Sequence, residues 1–457
     1  MSNIPNHAHD YVHDTIAAAA TPPGSGGIAI VRISGPMTPQ IAQHILQRLP
    51  KPRIATLSDF HGAGGDRIDT GIALYFPAPH SFTGEHVLEL HGHGGPVLVA
   101  DLVDTAIALG ARRADPGEFT RRAFLNDKLD LVQAEAVADL VGSGSRQAAR
   151  AALRSLAGEF SAAIAELKER LIQLRIHVEA AIDFPEEEID FLTDAGLRRT
   201  IDDCAEAFAA LMRKAQAGRV LRDGYRMVIA GRPNAGKSSL LNRLSGEDAA
   251  IVTEIAGTTR DILRERIDID GLSVELVDTA GLRDNPDRIE AEGIRRARDA
   301  IRSADAVLWI EDAARHTDTQ ADYAGEDLPP DIPLIVVRNK IDLSGDAPGR
   351  ADAATPTINL SAKTGAGLEA LRAAIRELAG YRDLGEGAFT ARRRHLEALE
   401  RSKRHFEAGV SALEQNKAGE LLAEELRLAQ QALGEITGRF TSDELLGRIF
   451  AEFCIGK

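Results

Sequence analysis

The segment GRPNAGKSS, Gly231 to Ser239, directly follows the apolar run YRMVIA and constrains the fold more than any other stretch. It fits G-x-x-x-x-G-K-[ST]. Glycines at those positions let backbone N–H groups curl around phosphate oxygens, and the helix that follows turns its positive end toward them. The spacing sets Asn234, Ala235, Gly236, Lys237, Ser238 and Ser239 around a nucleotide's phosphates, with Lys237 reaching the β- and γ-phosphates and Ser238 reaching Mg²⁺. Such a loop needs a strand before it and a helix after it. The further apolar runs SVELVD, AVLWIED and PLIVVR, separated by helical patterns, predict a parallel sheet wrapped by helices.

Companion motifs follow in order. VDTAG sets Asp278 at a strand end near the metal, with Thr279, Ala280 and Gly281 able to approach the γ-phosphate. AGTTRD offers Thr258 and Thr259 as a switch that senses γ-phosphate through Mg²⁺. NKID brings Asn339, Lys340, Ile341 and Asp342; the Asp342 carboxylate can accept from guanine N1–H and the exocyclic amine, which adenine cannot supply. SAK (Ser361, Ala362, Lys363) would close over the base. Chance glycine turns do not produce this ordered set, so the chain is expected to bind GTP. Hydrolysis is less plain. The position after D-x-x-G, where Ras-like proteins keep a water-orienting glutamine, is Leu282. Arg260 and Arg283 are candidate arginine fingers, but each reads more simply as a solvent-facing switch residue. Asn234 either holds a monovalent cation beside the β/γ-phosphates or caps a turn.

Around this central unit the patterning changes. Residues 1–125 read as mixed α/β, with strand runs GGIAIVRIS and EHVLELHG between Gly/Pro turns. Residues 126–222 read as helical: Phe160, Ile164, Leu167, Leu171, Leu174 and Val178 recur at steps of four and three. AGRVLRDG reads as a linker into the α/β unit, 223–384. Helical periodicity returns over 385–457, with Leu396, Leu399, Phe406, Val410 and Leu413 on one helix and Leu422, Leu426, Ala429, Leu433 and Ile436 on another. The expected class is an α/β multidomain protein. The two helical regions either pack as one α-helical domain with a P-loop, Ras-like domain inserted, or form two separate domains.

Composition bounds the remainder. The chain has 457 residues, enough for about three domains, and a net charge of −15. That acidity argues against a broad nucleic-acid-binding face, although a local patch can hide in the average; an RNA partner would be gripped largely through another protein. Two cysteines, Cys204 and Cys454, exclude a disulfide framework and suit a reducing cytoplasm. No run approaches the ~18 apolar residues of a membrane span, and no secretory leader is expected. In HGHGG, His91 and His93 would share one side of a strand, but two histidines among glycines read as a loop rather than a metal site.

Motifs along nearly the whole chain, among them ATPPGSGGIAIVRISG, SFTGEHVLELHGHGGP, PGEFTRRAFLNDKLDLVQAEAVADL, AIDFPEEEIDF, GRPNAGKSSLLN, TEIAGTTRD, DTAGLR and FTSDELLGRIFAEFCIGK, resemble the MnmE (TrmE) family of tRNA-modifying GTPases. The departures are a His-containing extension before TIAAAATPPG and the polar segment from Thr317 to Glu326. The resemblance implies an N-terminal domain that binds 5-formyl- or methylene-tetrahydrofolate and mediates homodimerisation, and a helical domain split by the inserted G domain. It implies that G domains pair across the dimer with K⁺ and that Asn234, Thr253, Ile255 and Thr258 surround that K⁺, with Glu254, Ala256 and Gly257 in the same nucleotide-contacting loop. Ser238 and Thr259 would bind Mg²⁺, and Glu290 would orient water indirectly, a catalytic role alongside Lys237. Arg32, Glu89, Lys128 and Lys457 would lie at the folate site. The family acts with the flavoprotein MnmG, in a heterotetramer, to place an aminomethyl or carboxymethylaminomethyl group on C5 of the tRNA wobble uridine. A ribosome-assembly switch is the competing reading, and it would need an RNA-binding domain that is not evident.

The closing FCIGK sets Cys454 fourth from the end, as in prenylated GTPases, but Gly456 and Lys457 and the lack of upstream basic residues do not fit C-a-a-X. Without the resemblance Cys454 is an inert small residue. With it, the tail reaches the folate, and whether the thiol reacts there stays open.

Overall fold

The computed structural model describes residues 14–183, 195–231, 234–247, 264–269, 272–278, 304–315, 332–353, 355–379, 387–438, 443–451, 453 and 456. Two compact units result: one of Met1–Val141, Ser155–Ile201 and Glu400–Lys457, the other of Gly142–Arg154 and Asp202–Leu399.

The first unit holds strands β1 (Ile16–Ala19), β2 (Gly26–Ser34), β3 (Thr56–His61), β4 (Arg67–Phe76), β5 (Val87–Gly94) and β6 (Arg112–Arg113), in the order β3-β4-β5-β2-β1-β6. Pairing is antiparallel except for the short parallel contact of β1 with β6. Alternate residues Val31, Ile33, Ala73, Tyr75, Leu88 and Leu90 turn to one face. There they pack on Ile41 and Ile45 of the helix Thr38–Ile45 and on Leu102 and Ala106 of the helix Pro96–Ala108. All but the last glycine of HGHGG, expected to be a loop, belongs to β5: His91 pairs in register with Ile30 and Ile72, so sheet hydrogen bonding overrides the glycines' turn preference.

Beside β1 sits a buried charge cluster. The Arg122 guanidinium, 2% exposed, donates to the Asp14 carbonyl (2.7 Å) and carboxylate (2.6 Å), to Glu118 (2.9 Å) and to Glu85 (3.1 Å). Arg112 donates to Glu118 (2.6 and 2.8 Å) and to Asp14 (2.6 Å). Burial alone would raise the Glu118 carboxyl. Hydrogen bonds from Arg112, the Asp115 N–H and Arg122 outweigh it and hold the group at about 2.

The expected helical stripe is present. Phe160, Ile164, Leu167, Leu171, Leu174 and Val178 are all buried along the helix Glu159–Asp183, each contributing about 2 kcal/mol relative to exposure. That helix packs on Gly419–Thr437, where Leu422, Leu426, Ala429, Leu433 and Ile436 are buried, and Arg175 donates to Gln430 at 3.0 Å. These two helices, one from each helical region, share a core within the first unit. Leu399, Phe406 and Leu413 are buried on the helix Arg393–Asn416, with Leu396 and Val410 half-buried. The last helix, Asp443–Ala451, brings Leu446, Ile449, Phe450 and Phe453 onto Leu131 and Ala134.

The second unit is a seven-stranded sheet in the order β12-β13-β11-β10-β7-β9-β8. Its strands are β7 (Tyr225–Gly231), β8 (Arg264–Ile269), β9 (Leu272–Asp278), β10 (Ala306–Asp312), β11 (Leu334–Asn339), β12 (Gly349–Ala351) and β13 (Thr357–Asn359). The five inner strands run parallel, and β8 and β12 close the two edges antiparallel. The chain leaves β7 to one side for β9 and returns on its other side with β10. A crevice therefore opens at the carboxyl end of β7, where doubly wound sheets bind ligands.

AGRVLRDG is not a linker. The helix Ala195–Asp223 runs through it, because Val220 and Leu221 extend its buried stripe, and only Gly224 (φ 80°) separates it from β7. Gly218 inside that helix is needed for close approach: a Cβ there would collide with the Phe389 carbonyl oxygen. Gly→Ala in a helix normally stabilises by about 1 kcal/mol. Gly218→Ala is instead expected to destabilise by about 1–3 kcal/mol, read as a lowered denaturant midpoint at unchanged m-value. An unchanged or raised midpoint would contradict the close approach.

Candidate functional site

The phosphate loop sits in the crevice after β7. Gly231 (φ 136°) lies so close to β10 that a Cβ would strike the Ile310 carbonyl, and Gly236 (φ 98°) would strike the Asn339 amide. Asn234 holds φ 62°, the left-handed corner of the loop, which asparagine tolerates better than most residues. Lys237, 8% exposed, folds its ammonium back over the loop to the Gly231 carbonyl at 2.9 Å. Ser238 and Ser239 are exposed in the first turn of the helix Lys237–Glu247. A helix start and one ammonium meet here, which suits a polyphosphate, and the exposed Ser238 hydroxyl offers an oxygen to its Mg²⁺.

Asn339, 2% exposed, joins three segments distant in sequence. Its Nδ2 donates to the Ala235 carbonyl (3.0 Å), while its Oδ1 accepts from the N–H of Lys340 (2.8 Å) and of Ala362 (2.9 Å). The Ser361 hydroxyl donates to Asp342 Oδ1 at 2.7 Å and accepts from the Thr364 N–H at 3.2 Å, which orients the carboxylate. Ile341 is buried behind it, and Ala362 follows in the same turn as Lys363. Lys340 (φ 68°) donates from Nζ to the Asn234 carbonyl (2.7 Å) and to Asp312 (2.8 Å). Asp312 is absent from the sequence expectations. It ends β10, and the hydrogen bond from Lys340 holds its carboxyl below the ordinary range. The pair of acids, Glu311 and Asp312, closing the apolar run AVLWI was its signal in the sequence.

The Asp278 backbone ends β9, parallel to β7; its side chain lies outside the described residues. Thr253, Glu254, Ile255, Ala256, Gly257, Thr258, Thr259, Arg260, Thr279, Ala280, Gly281, Leu282, Arg283 and Glu290 also lie outside them, as does the segment from Thr317 to Glu326.

In the first unit Arg32 and Glu89 are cross-strand partners on β2 and β5, bonded at 2.9 Å through Nε and 2.8 Å through Nη2. The guanidinium lies over the rings of Phe82 (5.7 Å) and Phe119 (5.6 Å), neither of which the sequence singled out. Lys128 donates to the Pro79 carbonyl at 3.2 Å. His91 lies 3.3 Å from Glu89 and His93 2.7 Å from Asp69; no cluster of three or more metal-ligating side chains occurs among the described residues. Cys454 and Lys457 lie outside the described residues, whereas Phe453 and Gly456 lie within them. Phe453 is buried against Phe450, and Gly456 (φ 95°) approaches so closely that a Cβ would strike the Ala19 carbonyl. Gly456 therefore lies against the end of β1, the strand that pairs with β2.

A parallel sheet with a phosphate loop at its switch point and a guanine-type N-K-x-D loop bonded to it defines a P-loop GTP-binding protein. Residues 15–128 match the model described as "GTP-binding protein TrmE N-terminus" and residues 131–454 the one described as "MnmE helical domain". A protein from Saccharophagus degradans named tRNA modification GTPase MnmE is 54% identical over 451 residues, covering 97% of this chain and 99% of its own. One of the same name from Alkalilimnicola ehrlichii is 56% identical over 444 residues, with 97% and 99% covered. The chain belongs to the MnmE (TrmE) family of tRNA modification GTPases. A GTP-binding protein from Sulfolobus solfataricus, solved with GDP, is 20% identical over 48% of this chain and 68% of its own, at a TM-score of 0.26, too distant to bear on the chemistry.

Proposed function

We propose that the chain is a K⁺-dependent GTPase that acts with the flavoprotein MnmG on C5 of the wobble uridine of certain tRNAs, using a one-carbon unit from tetrahydrofolate. The observation that carries the nucleotide part is the convergence on Asn339, which binds the phosphate loop, the N-K-x-D loop and the S-A-K loop into one site. In this reading Lys237 and a Mg²⁺ on Ser238 and Thr259 neutralise the developing phosphate charge, and Asp342 reads guanine. Asn234, Thr253, Ile255 and Thr258 would hold K⁺, which would supply the positive charge that an arginine finger gives elsewhere, and Glu290 would orient the attacking water. Residues 1–125 form the folate-binding and dimerising domain; 126–222 and 385–457 form one helical domain, interrupted by the G domain at 223–384.

Folate would supply the carbon. Arg32 supports its placement: Nη1 makes no hydrogen bond among the described residues, leaving donors for an anion, while the exposed ring of Phe82 offers an apolar surface to a pterin and buried Phe119 backs the guanidinium. Lys128 and Lys457 would add positive charge, and Glu89 would accept from the pterin's amide-like edge. The work of these residues is to bind and orient; Cys454 either lines this site or reacts in it. Location in the cytoplasm and a homodimer complete the reading, and no helix among the described residues is long and apolar enough to cross a membrane.

GTP turnover is expected to rise at least about tenfold in K⁺ over Na⁺, and Asn234→Ala to flatten the difference. Equal turnover in both salts for the unaltered protein removes the K⁺ assignment. Nucleoside analysis of tRNA from a deletion strain tests the whole: wobble-uridine modification should be lost, and normal tRNA with a ribosomal-subunit defect would favour the assembly-switch reading.

A further inference from the structure

Two stretches that meet in this fold carry arginine and no other charged residue. Residues 141–158 (VGSGSRQAARAALRSLAG) carry Arg146, Arg150 and Arg154, and residues 387–394 (GAFTARRR) carry Arg392, Arg393 and Arg394. All six cations are arginines; neither stretch has a lysine. The fold lays the stretches side by side within the second unit: the Thr390 N–H donates to the Ala151 carbonyl at 3.3 Å, and Gly387 lies beside the Arg154 guanidinium.

The helix Arg146–Leu156 shows how the charge is displayed. Ala148, Ala151, Ala152 and Ser155 are buried, so that face is spent on packing. Arg146, Arg150 and Arg154 recur every fourth residue on another side, about 6 Å apart along the axis. Arg146 and Arg150 are exposed and Arg154 half-buried, and none of the three has an ion-pair partner among the described residues. Exposed Arg393 extends the patch, held among the described residues by the surface pair with Glu397 at 2.9 Å, which is weak and replaceable.

Three unneutralised arginines in file, in a chain with 69 acidic residues, are a costly concentration of like charge unless an anion takes it up. Guanidinium matches phosphate bidentately, which lysine does not. We propose that Arg146, Arg150 and Arg154, with Arg393 beside them, bind the phosphate backbone of the tRNA, so that this chain grips its RNA directly as well as through a partner. This rests on the tRNA-modification reading. The contact is to backbone and positions the tRNA without reading its bases.

The test is the binding of fluorescently labelled tRNA transcript to the full chain alone, by anisotropy, across about 50 to 200 mM KCl. Arg146→Gln/Arg150→Gln/Arg154→Gln should bind about tenfold or more weakly at the lowest salt. Its plot of log affinity against log salt should flatten by about 2 units, close to 0.7 for each lost phosphate contact. Basal GTP hydrolysis should be unchanged, which also reports that the variant folds; Arg150→Lys should keep most of the slope. Equal affinity and slope in variant and parent overturn the proposal, as does failure of the parent chain to bind tRNA. Unchanged tRNA binding with loss of an acidic protein partner overturns it in favour of protein docking. A deletion strain with normally modified tRNA would sink the underlying reading, whereas lost modification with an unchanged salt slope sinks only the patch.

Discussion

Asp342→Asn is expected to weaken GTP binding by about 10²- to 10⁴-fold. The carboxylate would accept two hydrogen bonds from guanine, each charge-assisted and worth about 1.5–3 kcal/mol, so their loss removes about 3–6 kcal/mol. An asparagine amide can instead donate to a carbonyl, so the same variant should gain affinity for xanthosine triphosphate, whose base carries oxygen where guanine carries the amine. Ser361 fixes one Asp342 oxygen at 2.7 Å, so Ser361→Ala should cost about tenfold by loosening a carboxylate that remains present. Titration with fluorescent nucleotide analogues reads all three. A GTP affinity within threefold of the parent for Asp342→Asn would mean that this loop does not hold the base.

Arg122→Met is expected to destabilise the first unit by about 3–5 kcal/mol, the cost of taking the buried guanidinium away from the carboxylates around it. Asp14, Glu85 and Glu118 all meet that one guanidinium, and Arg112 reaches only Asp14 and Glu118. The Glu118 carboxyl stands at about 2 in the fold against an ordinary 4.5. A group depressed in this way contributes stability that is complete above pH about 4.5 and lost as the pH falls toward 2, about 3 kcal/mol in all. In Arg122→Met that acid-linked loss should shrink, because one of the bonds holding the carboxylate ionised is gone. Denaturant midpoints at neutral pH and near pH 3 measure both effects. A midpoint unchanged at neutral pH would show the cluster to be dispensable. Adding Glu118→Gln to the variant should recover part of the loss, which separates stranded charge from lost packing.

Much of the fold was legible because its signals are local. GGIAIVRIS became β2 residue for residue, and the stripe from Phe160 to Val178 became one buried helix face, since both patterns record a period and the period follows from backbone geometry. The phosphate loop was equally plain: backbone donors and glycine torsions belong to the loop itself. Where local preference competed with tertiary contact, reading along the chain failed. AGRVLRDG has the glycines of a linker, yet Val220 and Leu221 had a core to enter and the helix continued. HGHGG has the glycines of a turn, yet β2 pairs with it from His91 to Gly94 and β4 pairs with His91, so most of it is strand.

Other features had no local signal. Asp312 acquires its importance only where β10 ends beside Lys340, 28 residues further along the chain. Arg32 and Glu89 look like ordinary surface charge until β2 and β5 pair in register, and the closing Gly456 shows its purpose only against Ala19. The arginines of 141–158 were averaged away in a net charge of −15 and emerge as a patch only where Thr390 binds Ala151. By itself the sequence determined the chemistry that a loop's own atoms perform, phosphate binding and guanine selection, together with the periodic elements that frame it. The tertiary structure decided which distant charges meet, because pairing across a sheet and packing between helices depend on long-range closure that no short window of sequence contains.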